Sequence, residues 1–182
     1  MKKLLSAFVI IISFLSCSKN SDSSQPLYTG VSYIKFNAGG TLFKIEGNLD
    51  SVNAGGHGVY ADKVTKRPNV PINRYRIYGN GGAGNYVFFT IEAEDSLRAG
   101  DYELYNKLTG AEFPKIIIDN KIYEGFNPDG SSKITLHVSR HSNGSMDGTF
   151  AGTLTWRDPQ NTNHTETMNF TNGEFKNVAF QY

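Results

Sequence analysis

The sequence predicts an all-β fold: an antiparallel β-sandwich or flattened barrel of about 10 strands. Three observations carry that reading. From Val31 onward, apolar and polar residues alternate at period 2, and no window sustains a 3.6-residue apolar period beyond two turns. The alternating runs recur roughly every 8–14 residues and are separated by Gly and Asn, as in sandwiches and barrels. Strands never alternate with helical stretches, which argues against a parallel α/β architecture.

The expected strands are 31–37, 41–46, 58–64, 72–79, 86–94, 100–104, 114–118, 121–124, 133–141, 146–156, 164–170 and 174–182. Asn172-Gly173 has the chemistry of a type I′ hairpin, because both residues tolerate positive φ. A two-residue loop there would pair Phe170 with Phe175 on one face. Val178, Phe180 and Tyr182 then run out of phase with Phe175, so a β-bulge is expected near Lys176-Asn177. For Asn143-Gly144 a three-residue loop is expected, with Gly144 in the left-handed region. It would pair Val138 with Phe150 and set His141 opposite Asp147. The glycine-rich run 79–85 reads as a hairpin tip, Asp119-Asn120 as the turn between Ile117 and Ile122, and 54–58 as a flexible connection. No linker interrupts the body, so residues 27–182 are expected to form a single all-β domain.

The N-terminus reads as an address. Lys2 and Lys3 precede a mostly apolar run of 12 residues, 4–15, too short for a bilayer span and the right length for a signal peptide. The run ends in Phe14-Leu15-Ser16-Cys17, which resembles a bacterial lipobox, although Phe14 departs from the usual leucine. The resemblance implies a lipoprotein signal peptide over 1–16, cleavage before Cys17 and diacylglyceryl attachment to the Cys17 sulfur. Residues 17–26 are polar and aperiodic and read as a flexible tether. Two or three acyl chains make a stable membrane anchor. The expected location is the outer membrane, on its periplasmic face or at the cell surface.

The chain has 18 Lys and Arg against 17 Asp and Glu, so it lacks the basic footprint of a nucleic-acid-binding protein. The single Cys excludes an intrachain disulfide framework. The signatures of catalysis are thin. His137, Ser139 and His141 share one strand phase, with Asp147 as the nearest third ligand, but the bland reading is a solvated face and no metal is expected. Glu92, Glu94 and Asp95 end a strong strand on its polar phase, so no catalytic residue is expected there either. There is no serine elbow and no phosphate loop, and no cofactor is expected. Most aromatics fall on inward phases, as Tyr75, Phe89 and Phe150 do. Trp156 and Arg157, at a strand end beside the loop 158–163, form the expected contact surface. Asp50-Ser51-Val52 and Asp95-Ser96-Leu97 resemble Bacteroidetes O-glycosylation tripeptides, with Ser51 and Ser96 as acceptors.

The C-terminal half carries a wider likeness. Gly100-Asp101-Tyr102-Glu103-Leu104, the segment 132–139 (SKITLHVS), the segment 148–154 (GTFAGTL) and the segment 170–175 (FTNGEF) together resemble a Bacteroidetes lipoprotein family of unknown function. That family has a GTFxGTL strand and a closing TNGxF hairpin; the insert 54–71 departs from its compact form. The resemblance implies a small exported all-β lipoprotein and supplies no catalytic residue. The expected function is non-enzymatic binding or assembly in the cell envelope, with the membrane engaged through the lipid and an envelope protein or glycan as partner. The alternatives are a small-ligand carrier barrel and a hydrolase using Glu92, Glu94 or Asp147.

Overall fold

The computed structural model describes residues 30–66, 72–106, 112–127, 129–142 and 144–181. Its elements are β1 (Tyr33–Ala38), β2 (Thr41–Glu46), α1 (Leu49–Asn53), β3 (Gly58–Val64), β4 (Asn73–Gly82), β5 (Asn85–Ala93), β6 (Gly100–Leu104), β7 (Lys115–Ile118), β8 (Lys121–Glu124), β9 (Lys133–Ser142), β10 (Ser145–Arg157) and β11 (Thr165–Gln181). The fold is all-β, as the alternation predicts. The signal peptide 1–16, with Cys17 after it, and the tether 17–26 lie outside the described residues.

The strands follow the order β2-β1-β11-β3-β4-β5-β7-β8-β10-β9-β6, and β10 also pairs with β11, which closes a flattened barrel. The long strands β10 and β11 stitch two layers. β10 pairs with β9 along Ser145–Thr153 and then turns to β8 at Thr155 and Trp156. β11 pairs with β1, then with β3 at Phe180 and Gln181. This last contact is parallel, a correction to the expected purely antiparallel sheet.

The inward phases meet in one core. Phe89 from β5 packs edge-on against Phe150 from β10 at 4.9 Å, Tyr123 from β8 meets Phe170 from β11 at 6.0 Å, and Phe36 from β1 touches both Phe150 and Phe170. Burying a phenylalanine side chain stabilises the fold by roughly 1.5–3 kcal/mol, so this cluster dominates cohesion.

Two turns match expectation, and the Gly144 turn matches only in that glycine's conformation. Asp119 and Asn120 both have positive φ, at 50° and 64°, and bring Ile117 opposite Ile122. Gly144 is left-handed, at φ 73°. The β4–β5 tip turns through Ala83 and Gly84, both at positive φ.

Two expectations fail for one reason: bulges do the work assigned to loops. Asn172-Gly173 does not turn the chain. Gly173 lies opposite Phe150 and Phe170 opposite Gly152, so Thr171 and Asn172 together face Ala151 inside one continuous strand. Asn172 adopts φ 52°, the left-handed conformation expected of a hairpin residue, but uses it to make a bulge. A turn there would forfeit the ladders to β1 and β10 on both sides of the strand. The expected bulge at Lys176-Asn177 is present: both residues face Asp147, Asn177 has φ 56°, and Phe175 and Val178 both point inward.

The β9–β10 loop is shorter than expected, since Ser142 pairs with Ser145. The register is reset by a bulge at Ser139, which brings Phe150 opposite Leu136 rather than Val138. As a result His141 lies opposite Met146, and Asp147 faces Arg140. Finally, 49–53 forms the short helix α1 just before the connection read as flexible. Asn48 caps it by accepting the Ser51 N–H at 3.1 Å. Five residues are too few to show a helical period.

The glycines of the GTF and GEF segments have a specific use. Gly148 lies opposite Phe175, and Phe150 opposite Gly173. A Cβ on Gly148 would collide with the Phe175 ring and the His137 carbonyl. A Cβ on Gly173 would lie 2.6 Å from the Phe150 ring. Each phenylalanine therefore lies over the bare backbone of the other strand's glycine.

Candidate functional site

The surface best equipped to engage a partner lies at the corner where β8 meets β10. Only two residue pairs join them: Thr155 with Glu124, and Trp156 with Tyr123. The alternation therefore divides the corner into two sides. On the inner phase Tyr123 is buried and Trp156 half-buried against the core. On the outer phase Ile122 is left 42% exposed, an isoleucine in a position the strand pattern reserves for polar residues.

The inner side is a charge-and-ring network. Glu166 accepts from the Lys121 ammonium at 2.6 Å and from the Tyr123 hydroxyl at 2.7 Å. The Lys121 bond, then the Tyr123 bond, hold the Glu166 carboxyl below its ordinary range, while burial and the Glu166 bond push the Tyr123 hydroxyl up. Lys121 Nζ also lies 4.9 Å from the centre of the Trp156 ring, a cation–π contact. His164 meets the indole edge-on at 5.6 Å and is itself 3.5 Å from Asp158. The 158–164 connection is held by Asp158, which accepts the Gln160 N–H at 2.8 Å.

The outer side is a groove of about 360 Å³ lined by Ile122, Glu124, Phe126, Trp156, Arg157 and Pro159, among others. The Arg157 guanidinium carbon lies 4.4 Å from the centre of the Phe126 ring, a cation–π contact. Glu124 is engaged by Lys115 at 2.9 Å. Arg157 is exposed, and it meets no carboxylate among the described residues.

Trp156, from the inner phase, and Arg157, from the outer, thus both border a surface groove. The alternation in the sequence does not reveal their neighbours: the β8–β10 pairing brings Lys121, Ile122 and Phe126, and the β10–β11 ladder sets Glu166 opposite Trp156. One signal was readable: both Ile117 and Ile122 occupy outward phases of the 115–124 hairpin.

The other candidates separate. The Ser139 bulge turns His141 inward, where its ring packs against Tyr75 and Phe180. His137 stays exposed, 2.6 Å from Asp101. Among the described residues no cluster of His, Cys, Asp and Glu could hold a metal ion. Glu92 is bonded to Arg74 at 3.1 Å, and Glu94 and Asp95 are exposed. Asp147 lies on β10, bonded to Arg140 at 2.8 Å and to the Asn177 N–H at 2.7 Å. Glu92, Asp101, Glu103 and Glu112 line a hollow of about 170 Å³ between β5 and β6. Each of these carboxylates faces a basic side chain: Glu92 meets Arg74, Asp101 meets His137, Glu103 meets Lys133, and Glu112 lies 3.8 Å from Arg76, which is bonded more closely to Asp62. Ser51 lies in α1, its hydroxyl donating to Asn48 at 3.2 Å, and Ser96 is exposed in the turn after β5.

A second aromatic surface crosses the outer face of β3, β4 and β5. There Tyr60 and Tyr78 stack face to face at 4.7 Å and Phe88 tilts against Tyr78, so the ring faces are largely used by one another.

These features define a flattened all-β barrel with a cation-capped aromatic groove at one corner. The chain matches no known protein-family model, and no curated protein or solved structure resembles it significantly. No helix among the described residues is long and apolar enough to cross a membrane.

Proposed function

We propose that this chain is a lipid-anchored, non-enzymatic binding or assembly domain of the bacterial outer membrane, and that it belongs with the Bacteroidetes lipoproteins of unknown function. The observation that carries the binding reading is the corner groove. There a tryptophan, an exposed isoleucine and a stacked arginine meet at the surface, and Trp and Arg are enriched among residues that dominate binding energy. Surface binding draws more support than an interior carrier site, because Phe36, Phe89, Phe150 and Phe170 fill the space between the layers with their own rings. A non-catalytic role is supported by the ion pairs of Glu92 with Arg74 and of Glu103 with Lys133 in the β5–β6 hollow. The anchor reading rests on Leu15-Ser16-Cys17.

The test has two readouts in one bacterial host. Palmitate labelling is expected to mark the wild-type chain and to vanish in Cys17→Ala, with the protein released from the membrane fraction. In-cell crosslinking from Trp156 is expected to trap a discrete envelope partner. Persistence of the label in Cys17→Ala defeats the anchor reading. Absence of any crosslinked partner defeats the binding reading.

A further inference from the structure

We infer that the corner groove takes an acidic polypeptide segment, with one carboxylate of the segment on Arg157 and a neighbouring apolar side chain against Ile122, Phe126 and Pro159. The inference rests on the binding reading above and names the chemistry of its partner. Of the charged groups lining the groove, Glu124 is neutralised by Lys115 at 2.9 Å, whereas Arg157 meets no carboxylate among the described residues. Its guanidinium carbon lies over the Phe126 ring, 4.4 Å from its centre. A planar guanidinium over a ring, with no carboxylate partner among the described residues, matches an incoming carboxylate in two-bond geometry. The groove around it is otherwise mainly apolar, and its 360 Å³ is the scale of one or two side chains. Ile122, 42% exposed, gains most from being covered.

The same geometry argues against the other carboxylate carriers. An acidic sugar stacks on an open aromatic face. Here the Lys121 ammonium lies over the Trp156 ring and Arg157 lies over Phe126. A fatty acid or lipid tail needs a channel continuing inward, and the core side of this corner is closed by Tyr123, Leu154 and Phe170, none more than 2% exposed.

Trp156 is the only tryptophan of the chain, so its emission reads the groove without a label. The full chain is titrated with a set of end-capped hexapeptides, each holding one Glu beside one Leu, Phe or Tyr, and with the corresponding Gln peptides. The expected result is saturable change of emission by at least one Glu peptide, at least tenfold weaker for its Gln analogue. In Arg157→Gln the Glu and Gln peptides should bind alike. Arg157→Lys should restore part of the discrimination, and Ile122→Ser should weaken both peptides by a similar factor. An unchanged circular dichroism spectrum shows that the variants are folded. Equal affinity for Glu and Gln peptides in the wild type overturns the inference, as does silence from every peptide. A response confined to oligogalacturonate or to phosphatidylglycerol vesicles overturns it in favour of a glycan or a membrane. If Arg157→Gln leaves the in-cell crosslinked partner intact, the groove assignment falls while the binding reading stands. If wild type yields no partner yet discriminates the peptides, the reverse holds.

Discussion

The β10–β11 seam and the β8–β10 corner use similar materials to opposite ends. At the seam, Phe150 and Phe175 lie over Gly173 and Gly148 and are at most 3% exposed. At the corner, Trp156 and Phe126 keep part of their surface in water, each with a cation at its face. At the seam the rings go fully under because the facing backbone has no Cβ to displace them. Where the partner strand offers a lysine or arginine stem instead, the ring stays near the surface and the cation covers it. The seam is therefore where stability resides, and the corner is where a partner can gain binding energy.

Mutations should separate the two regions sharply. Phe175→Ala is expected to show the largest effect, a loss of about 3–5 kcal/mol in denaturant unfolding, since it empties a fully buried site. Gly148→Ala comes next, at about 1–3 kcal/mol, because the new methyl group meets the Phe175 ring and the His137 carbonyl. The two share one contact, so combining them should lose less than the sum of the single effects. Strict additivity would refute the reciprocal glycine–phenylalanine fit. Asn177→Ala probes the adjoining bulge. Its φ of 56° should make alanine less stable by about 1–2 kcal/mol, with Asn177→Gly close to wild type.

How far the sequence was legible follows the same division. Alternation placed the strands, and the phase conflict between Phe175 and Val178 located a bulge to the residue. Asp119-Asn120 turned as its chemistry implies. Asn172-Gly173 has comparable turn chemistry and did not turn, because a residue that tolerates positive φ serves a bulge as well as a hairpin. The choice depends on β1 and β10, which flank β11 from far away in sequence. The β9–β10 register failed similarly: one face had to be kept, and a bulge at Ser139 keeps it as well as a longer loop. At the corner, Trp156 and Arg157 could be singled out as a strand end beside a polar loop. Lys121, Phe126 and Glu166 could not, since two residue pairs between β8 and β10 bring the first two and the β10–β11 ladder brings Glu166.

Acid should act on the seam through Asp147, with an effect at neutral pH smaller than those above. Burial alone would raise this carboxyl. The Arg140 bond and the Asn177 N–H outweigh burial and leave it below its ordinary value. A carboxyl depressed in the folded state contributes stability above its unfolded value, near 4, and that contribution is lost as pH falls through the folded value. Asp147→Asn should therefore unfold with a shallower acid limb below about pH 4. An acid limb as steep as wild type would show that another carboxyl governs it.

The smallest stability effect is expected at the corner, from Lys121→Met. The Lys121–Glu166 pair is exposed, and such a pair is worth about 0–1 kcal/mol. The cation over Trp156 adds about 0.5–1 kcal/mol, and the methionine stem retains part of the packing. Unfolding should thus shift by less than about 1 kcal/mol, while Trp156 emission, which reads this ring alone, should change clearly. The combination is diagnostic, because a stability-bearing contact would move both readouts together. A loss on the scale of Phe175→Ala would place the corner with the seam as a structural element, and the distinction between a sealed ring and a cation-covered one would no longer mark where the molecule can bind.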